Sequence, residues 1–393
     1  MNARRKVKQS GGLSICLNST IIAGFTQSSN YVKMKISNRI LSFTFVLFVG
    51  LSACKKDDGG PDLDFENPYQ NPDTTGGDTT YTNPVFAPVL ADPSIVEYNG
   101  YYYAYGTEDD WGSNGGYHLV PVVRSTDLVN WEFVRDAFDV KPNWKTGGIW
   151  APDVTLVNGQ FVMYYSFSLW GDPNPAIGVA TSPTPEGPFT DMGKLFNSNE
   201  IGVGNSIDAF YIENNGNKYL FWGSFQGIYA IRLTADGTST MGDKTHIGGN
   251  HLEASYVYRK GNYFYYFGSV GSCCEGANST YRVVVGRSPS LLGPYLDKFG
   301  NNLLLPNFGE LVVQANSGGL GYAGPGHNAE IVIDDEGTEW FLYHGIPKNN
   351  PFLDNGASRR PLLLDKLIWE DEWPLIQGRV PSIVAKEAPV FNP

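Results

Sequence analysis

Three carboxylates in this chain share one register. Asp92 lies eight positions before Gly100 in ADPSIVEYNG-YYYAYG, Asp208 eight before Gly216 in DAFYIENNG-NKYLFWG, and Glu253 eight before Gly261 in EASYVYRKG-NYFYYFG. Each segment reads as a strand, a turn bearing glycine, and an aromatic strand. Equal register in equal units predicts equivalent places for the three acids on one structure. A lone Asp at such a place more often caps a turn. Three in step, in a chain rich in Tyr and Trp, point to acid–base work on a carbohydrate.

The unit that positions them occurs five times. The other copies are DVTLVNG-QFVMYYS, turning at Gly159, and HNAEIVIDDEG-TEWFLYHG, turning at Gly337. Turns roughly 45 to 75 residues apart suit a β-propeller blade with variable loops. A second signature follows the unit in VVRSTDLVNWEFV, IGVATSPTPEGPF and VVVGRSPSLLGPY, is weaker in IYAIRLTADG, and becomes RRPLLLDKLIWEDEWP in the last copy. It reads as the outer half of a four-stranded blade. The expected fold is therefore all-β, a five-bladed propeller of four-stranded blades around a central channel. Its inner strands would carry polar residues to the channel mouth while apolar residues pack between blades. Composition agrees: 46 Gly, 25 Pro, 14% aromatic and 17% charged residues describe many short strands and turns.

The propeller is expected over residues 84–393, behind an N-terminal targeting region. Lys33, Lys35 and Arg39 precede an apolar run, Ile40 to Gly50, and then LSAC, Leu51 to Cys54. This resembles a bacterial lipoprotein signal over residues 34–53, with lipid on Cys54. The run is short for a membrane span. Met34 is the expected start, and residues 1–33 a mis-assigned leader. Residues 54–83 are polar, rich in Asp, Gly, Pro and Thr, and read as a disordered tether. The expected location is the bacterial cell envelope, lipid-anchored to the outer membrane and surface-exposed. The membrane would be touched through Cys54 alone.

The chain has 28 basic and 40 acidic residues. Residues 1–53 hold seven of the basic and none of the acidic ones, so 21 face 40 beyond them, a net of −19. Nucleic acid and anionic lipid are poor partners for that surface, and a neutral polysaccharide is compatible with it. Cys273 and Cys274 are adjacent in GSVGSCCEGANSTYRVVVGRS. Two readings stay open for them: ordinary small loop residues, or a vicinal disulfide beside the Glu253 strand, which an exported protein permits. No CxxC or HExxH pattern supports a zinc site.

ADPSI, WAPDV, SIDAFYI, LEASYVY, GSCCEGANSTYRVVVGRS and GPGHN, in that order from about Pro84 to Trp373, resemble glycoside hydrolase family 43, and most of all its endo-α-1,5-L-arabinanase branch. ADP and WAPD are shared widely among related five-bladed glycosidases; the CC stretch with GPGHN is far more specific. The resemblance implies an inverting hydrolase acting on arabinan or arabino-oligosaccharides as a monomer. It implies Asp92 as general base, Glu253 as general acid, and Asp208 as the carboxylate that orients the acid and raises its pKa. Ala209 stands where the family usually has Pro. An inverting site needs one carboxylate ionised and one protonated, roughly 6.5–9.5 Å apart with water between.

His327, in GPGHN, is where the family places a channel cation, usually calcium, completed by water. By its chemistry alone a single His is a weak ligand for a hard cation and reads as a channel histidine. Further expected substrate-site residues are Trp150, which could stack on a sugar, Asp153 of WAPDV, Ser224 and Phe225 of WGSFQG, Trp111 as a groove wall, and Arg360, which resembles an arginine that relatives place near the axis. Loops Asp109 to Tyr117 and Leu169 to Pro175 would decide between an open groove and a closed pocket. The alternatives are an exo-acting α-L-arabinofuranosidase or β-xylosidase, and a non-catalytic glycan-binding lipoprotein.

Overall fold

The computed structural model describes residues 79–392. The leader, the signal, Cys54 and most of the tether lie outside the described residues.

Five antiparallel sheets follow one another along the chain, each with four strands in meander order. Blade one comprises Ser94–Tyr98, Tyr101–Tyr105, Pro121–Ser125 and Glu132–Asp136. Blade two runs from Gly148–Val157 to Thr190–Asn197, and blade three from Phe210–Asn214 to Thr240–Gly248. Blade four comprises Glu253–Lys260, Tyr263–Val270, Arg282–Ser288 and Glu310–Val313. Blade five comprises Tyr322–Gly326, Glu339–Pro347, Leu362–Glu370 and Trp373–Ile376, with Val332–Ile333 as an extra pairing on its second strand. This is the five-bladed propeller that the repeat predicts.

The turn glycines do what the repeat requires. Gly100, Gly159 and Gly216 all have positive φ, and the residues before them, Asn99, Asn158 and Asn215, do too. Two left-handed residues in succession make the tight turn whose twist matches paired strands, and Asn-Gly tolerates it best. The aromatic second strands then run inward, burying Tyr164, Tyr165, Phe221, Phe267 and Phe341 completely or nearly so.

The ring is closed at its ends. Thr80–Tyr81 pairs with Lys386–Glu387, so ordered pairing begins just ahead of Pro84. Asn83 then grips blade five, donating from Nδ2 to the Leu364 carbonyl (3.0 Å) and accepting from the Leu364 N–H (2.8 Å). The Leu362 N–H donates to the Phe86 carbonyl at 3.0 Å. The segment leading into blade one is thereby laid along the last blade.

Candidate active site

The inner strand of every blade enters through one residue with positive φ: Asp92, Ala151, Asp208, Ala254 and His327. A non-glycine residue there is strained, and something must hold it. In each case the strained N–H is caught by the neighbouring blade. Asp92 N donates to His344 Nδ1 (3.1 Å), Ala151 N to Thr107 Oγ1 (2.9 Å) and Asp208 N to Ser166 Oγ (2.9 Å). His327 N donates to Ser269 Oγ (2.9 Å). At the remaining junction Ala254 N donates to the Asp208 carboxylate, Oδ2, at 3.2 Å. The acceptor that blade three would otherwise supply, Ser224, instead donates from Oγ to Glu253 Oε2 at 2.7 Å.

Two acids, Asp92 and Asp208, thus stand on equivalent backbone. Glu253 stands one residue earlier than its counterparts, because Ala254 takes the strained position and the pairing slips between Glu253 and Tyr256. The slip turns a longer side chain toward the same place. Ala151, also eight residues before its turn glycine, is the equivalent position without a carboxylate.

The three acids differ in environment. Burial works against ionisation of Asp92, but Arg360 and His327 overcome it and hold the carboxyl well below the usual range. Arg360 Nη1 reaches both carboxylate oxygens at 3.0 Å, Thr107 Oγ1 donates at 2.7 Å, and His327 Nδ1 lies 3.3 Å away. His344 Nδ1 also lies 3.4 Å from Asp92 Oδ1. That contact is no ion pair: burial drives the His344 pKa down to about 3, and its Nδ1 is already an acceptor. Glu253 goes the other way. Burial, and then the charge of Asp208, push it up to about 7. Asp208 itself is pushed up to about 6, chiefly by burial.

All five blades contribute to a cleft of about 930 Å³ above these acids. Trp150, Ser224, Phe225, His327 and Arg360 line it, as do Leu169 and Trp170 from the second-blade loop. Cys273 and Cys274 are bonded as a vicinal disulfide on its wall. Two expected residues lie elsewhere. Trp111 is fully buried, its ring 4.0 Å from His118 and packed on Phe86 and Phe133. Its loop folds back as a short hairpin, Asp109–Asp110 on Tyr117–His118, which turns the indole into the core and leaves Asp109 to face the cleft. Asp153 sits two residues beyond the strained position, deeper in the channel. It shares a hydrogen bond with Glu330 and accepts from Tyr211 N at 2.8 Å. Glu330 in turn accepts from Ile95 N at 2.6 Å. Burial raises both carboxyls, and the pair links blades one, two, three and five without touching the cleft.

Sequence reasoning missed Thr107, Ser166 and His344. Each lies seven residues after its turn glycine, and Ser269, which plays the same part, eight after Gly261. As for a metal, no three His, Cys, Asp or Glu side chains converge as a cage among the described residues. The donor set at the channel mouth is one imidazole. His327 has Nδ1 on Asp92 and no hydrogen-bond partner for Nε2 among the described residues, which leaves Nε2 to a cation that keeps most of its own water, although burial is outweighed by Asp92, which raises the His327 pKa and so favours the protonated ring.

A propeller whose mouth pairs an ionised with a protonated carboxyl, in an open cleft walled by aromatic and polar side chains, has the machinery of a glycoside hydrolase. Residues 81–374 match the family described as Glycosyl hydrolases family 43, and the chain belongs to that family. It is 31% identical over 305 residues to the extracellular endo-α-(1→5)-L-arabinanase 1 of Bacillus subtilis (strain 168), covering 73% of this chain and 87% of that protein. It is 31% identical over 292 residues to the extracellular exo-α-(1→5)-L-arabinofuranosidase of Cellvibrio japonicus (strain Ueda107), covering 66% and 81%. The solved α-L-arabinanase of Cellvibrio cellulosa complexed with arabinohexaose superposes with a TM-score of 0.63 at 29% identity, over 74% of this chain and 95% of that one.

The Asp208 charge is the second cause of the raised Glu253 pKa, after burial. Asp208→Asn keeps an oxygen for Ala254 N and removes the charge. Glu253 is then expected to lose its proton at a pH below about 7, read by NMR titration of its carboxyl carbon. An unmoved titration would assign the whole shift to burial.

Proposed function

We propose that this protein is an inverting, endo-acting arabinanase that cleaves α-1,5-L-arabinofuranosidic bonds and works as a monomer, one chain being sufficient to supply all three acids. The observation that carries the inverting reading is the opposed setting of two acids in one cleft, Asp92 gripped by the Arg360 guanidinium at 3.0 Å and Glu253 bonded by the Ser224 hydroxyl. The arabinanase relatives support the substrate. Asp92 is the general base. Against burial, Arg360 and His327 hold its pKa well below the usual carboxylate range, and Arg360 and Thr107 fix its plane. Glu253 is the general acid, steadied by Ser224 and protonated below a pH of about 7. Its proton passes to the glycosidic oxygen as the bond to the anomeric carbon breaks. Water adds from the opposite face and gives its own proton to Asp92. Activity is expected to fall as pH rises through about 7, because Glu253 then enters the cleft ionised. The exo-acting relative, at the same identity as the endo-acting one, supports a second reading in which single units are released from a chain end. Product analysis on linear arabinan separates the two: a ladder of oligomers marks endo action, and a single early product marks exo action.

Both Asp92→Asn and Glu253→Gln are expected nearly to abolish cleavage of arabinan. On a nitrophenyl arabinoside, whose leaving group needs no proton, Glu253→Gln should recover most of its activity. Asp92→Asn should stay down by a factor of about 10² or more. The first-formed product should show an inverted anomeric centre by NMR. Rescue of Asp92→Asn alone would exchange the two roles, and a retained anomer would refute inversion.

The reading includes a hydrated cation, calcium by resemblance to the family, on His327 Nε2. Such an ion would add positive charge at the channel mouth. The residue's own part is to hold the His327 Nδ1–H toward Asp92. His327→Ala is expected to lose the ion and lower thermal stability while the fold persists. Elemental analysis without metal, together with full activity in chelator, would leave His327 as a channel histidine.

The reading also includes an outer-membrane lipid anchor at Cys54, with the propeller facing the surrounding glycan. Detergent partitioning should recover the native protein, and Cys54→Ala should be soluble and active. Retention of that variant in the membrane fraction would refute the anchor.

A further inference from the structure

A second cavity of about 450 Å³ opens beside the cleft and shares Phe225 and Gly271 with it. It lies outward from Glu253, on the same face. His251, two residues before that acid, forms part of its wall, and Arg282 and Gln314 stand at the face ends of the third and fourth strands of blade four.

The lining is that of a binding site. No carboxylate contributes to it, although the chain as a whole carries 40 acidic against 28 basic residues. Arg282 has no ion-pair or hydrogen-bond partner among the described residues, and His251 has no side-chain partner there, its one polar neighbour being the Phe308 backbone. Burial, helped by Arg282 and opposed by a hydrogen bond to the Phe308 backbone, keeps the His251 pKa below its ordinary value, so the ring is neutral and its second nitrogen remains an acceptor. Phe225 and Asn307, both in the cavity wall, have positive φ, a strain that gathers at ligand sites. Planar polar groups beside an aromatic face suit a sugar, whose hydroxyls need both donors and acceptors and whose ring carbons need an apolar surface.

The geometry points to this cavity as a remote subsite for a neutral furanose unit of the leaving chain, held by Arg282 and His251 and by the Asn307 amide in its wall. The assignment rests on the arabinanase reading and on Glu253 as the acid. The acid stands beside the departing oxygen, and the cavity continues outward from the acid. A short leaving fragment ends before reaching it, whereas a longer one gains the extra contacts.

The test is the ratio of kcat/KM for arabinohexaose to that for arabinotriose. Arg282→Met keeps the aliphatic stem and removes the guanidinium. It is expected to lower the ratio about tenfold, the scale of one hydrogen bond to a charged group. Asn307→Gly keeps the left-handed backbone, removes the amide, and should lower the ratio in the same direction. Unchanged ratios in both variants overturn the subsite and leave the arabinanase reading standing. Should Arg282→Met fail to fold, Asn307→Gly decides alone, a lowered ratio upholding the subsite and an unchanged one overturning it. Failure of the wild type to cleave either oligosaccharide overturns both readings together.

Discussion

The site depends on a ring of five hydrogen bonds, one at each junction between blades, that hold the inner strands in a strained entry to the channel. Left-handed backbone at a non-glycine residue costs on the order of 1–3 kcal/mol, and a hydrogen bond to a buried N–H offsets roughly that amount. Each blade therefore fixes the next, and the side chains at the strained positions can face only the channel mouth. The polar side chains at three of those places, Asp92, Asp208 and His327, inherit their aim from the backbone. At the junction of blades three and four the ring and the chemistry are fused. Asp208 serves as the acceptor for Ala254, which frees Ser224 to bond Glu253.

Charge is then distributed by what each blade brings. Blade five delivers Arg360 and His327 to Asp92, so a buried carboxyl remains ionised. Glu253 lacks the Arg360 contact; burial and the repulsion of Asp208 outweigh its hydroxyl partners and the more weakly felt His327, so its carboxyl remains protonated to about pH 7. Two acids in one cleft can thus act in opposite senses because they belong to different blades. The buried Asp153–Glu330 pair lies lower in the channel and belongs to the scaffold.

Much of this was legible in the sequence because the repeat is periodic. The turn glycines set the register, the register exposed the three acids, and the aromatic strands declared the blade. What escaped was whatever depends on the closure of the ring. Thr107, Ser166 and His344 share a spacing of seven from the turn glycine, but their role exists only across a junction with another blade. Asp153 obeys the alternation of its strand, which gives its side but not its depth. Trp111 was misread because a short hairpin reverses the direction of its loop, and no local pattern in EDDWGSNGGYH announces that reversal. The slip at Ala254 was invisible for the same reason, since spacing counts residues and not the irregularity between them.

The cage around Asp92 has a consequence for how the molecule comes into being. Its N–H is held by His344, 252 residues away in sequence, and its carboxylate by Arg360, 268 residues away. Both partners arrive with the final blade, which also receives the Asn83 latch. A nascent chain that stops short of blade five has all three acids and none of the cations that ionise the first. In the proposed reading the ionised base and the sealed ring therefore depend on the same last blade.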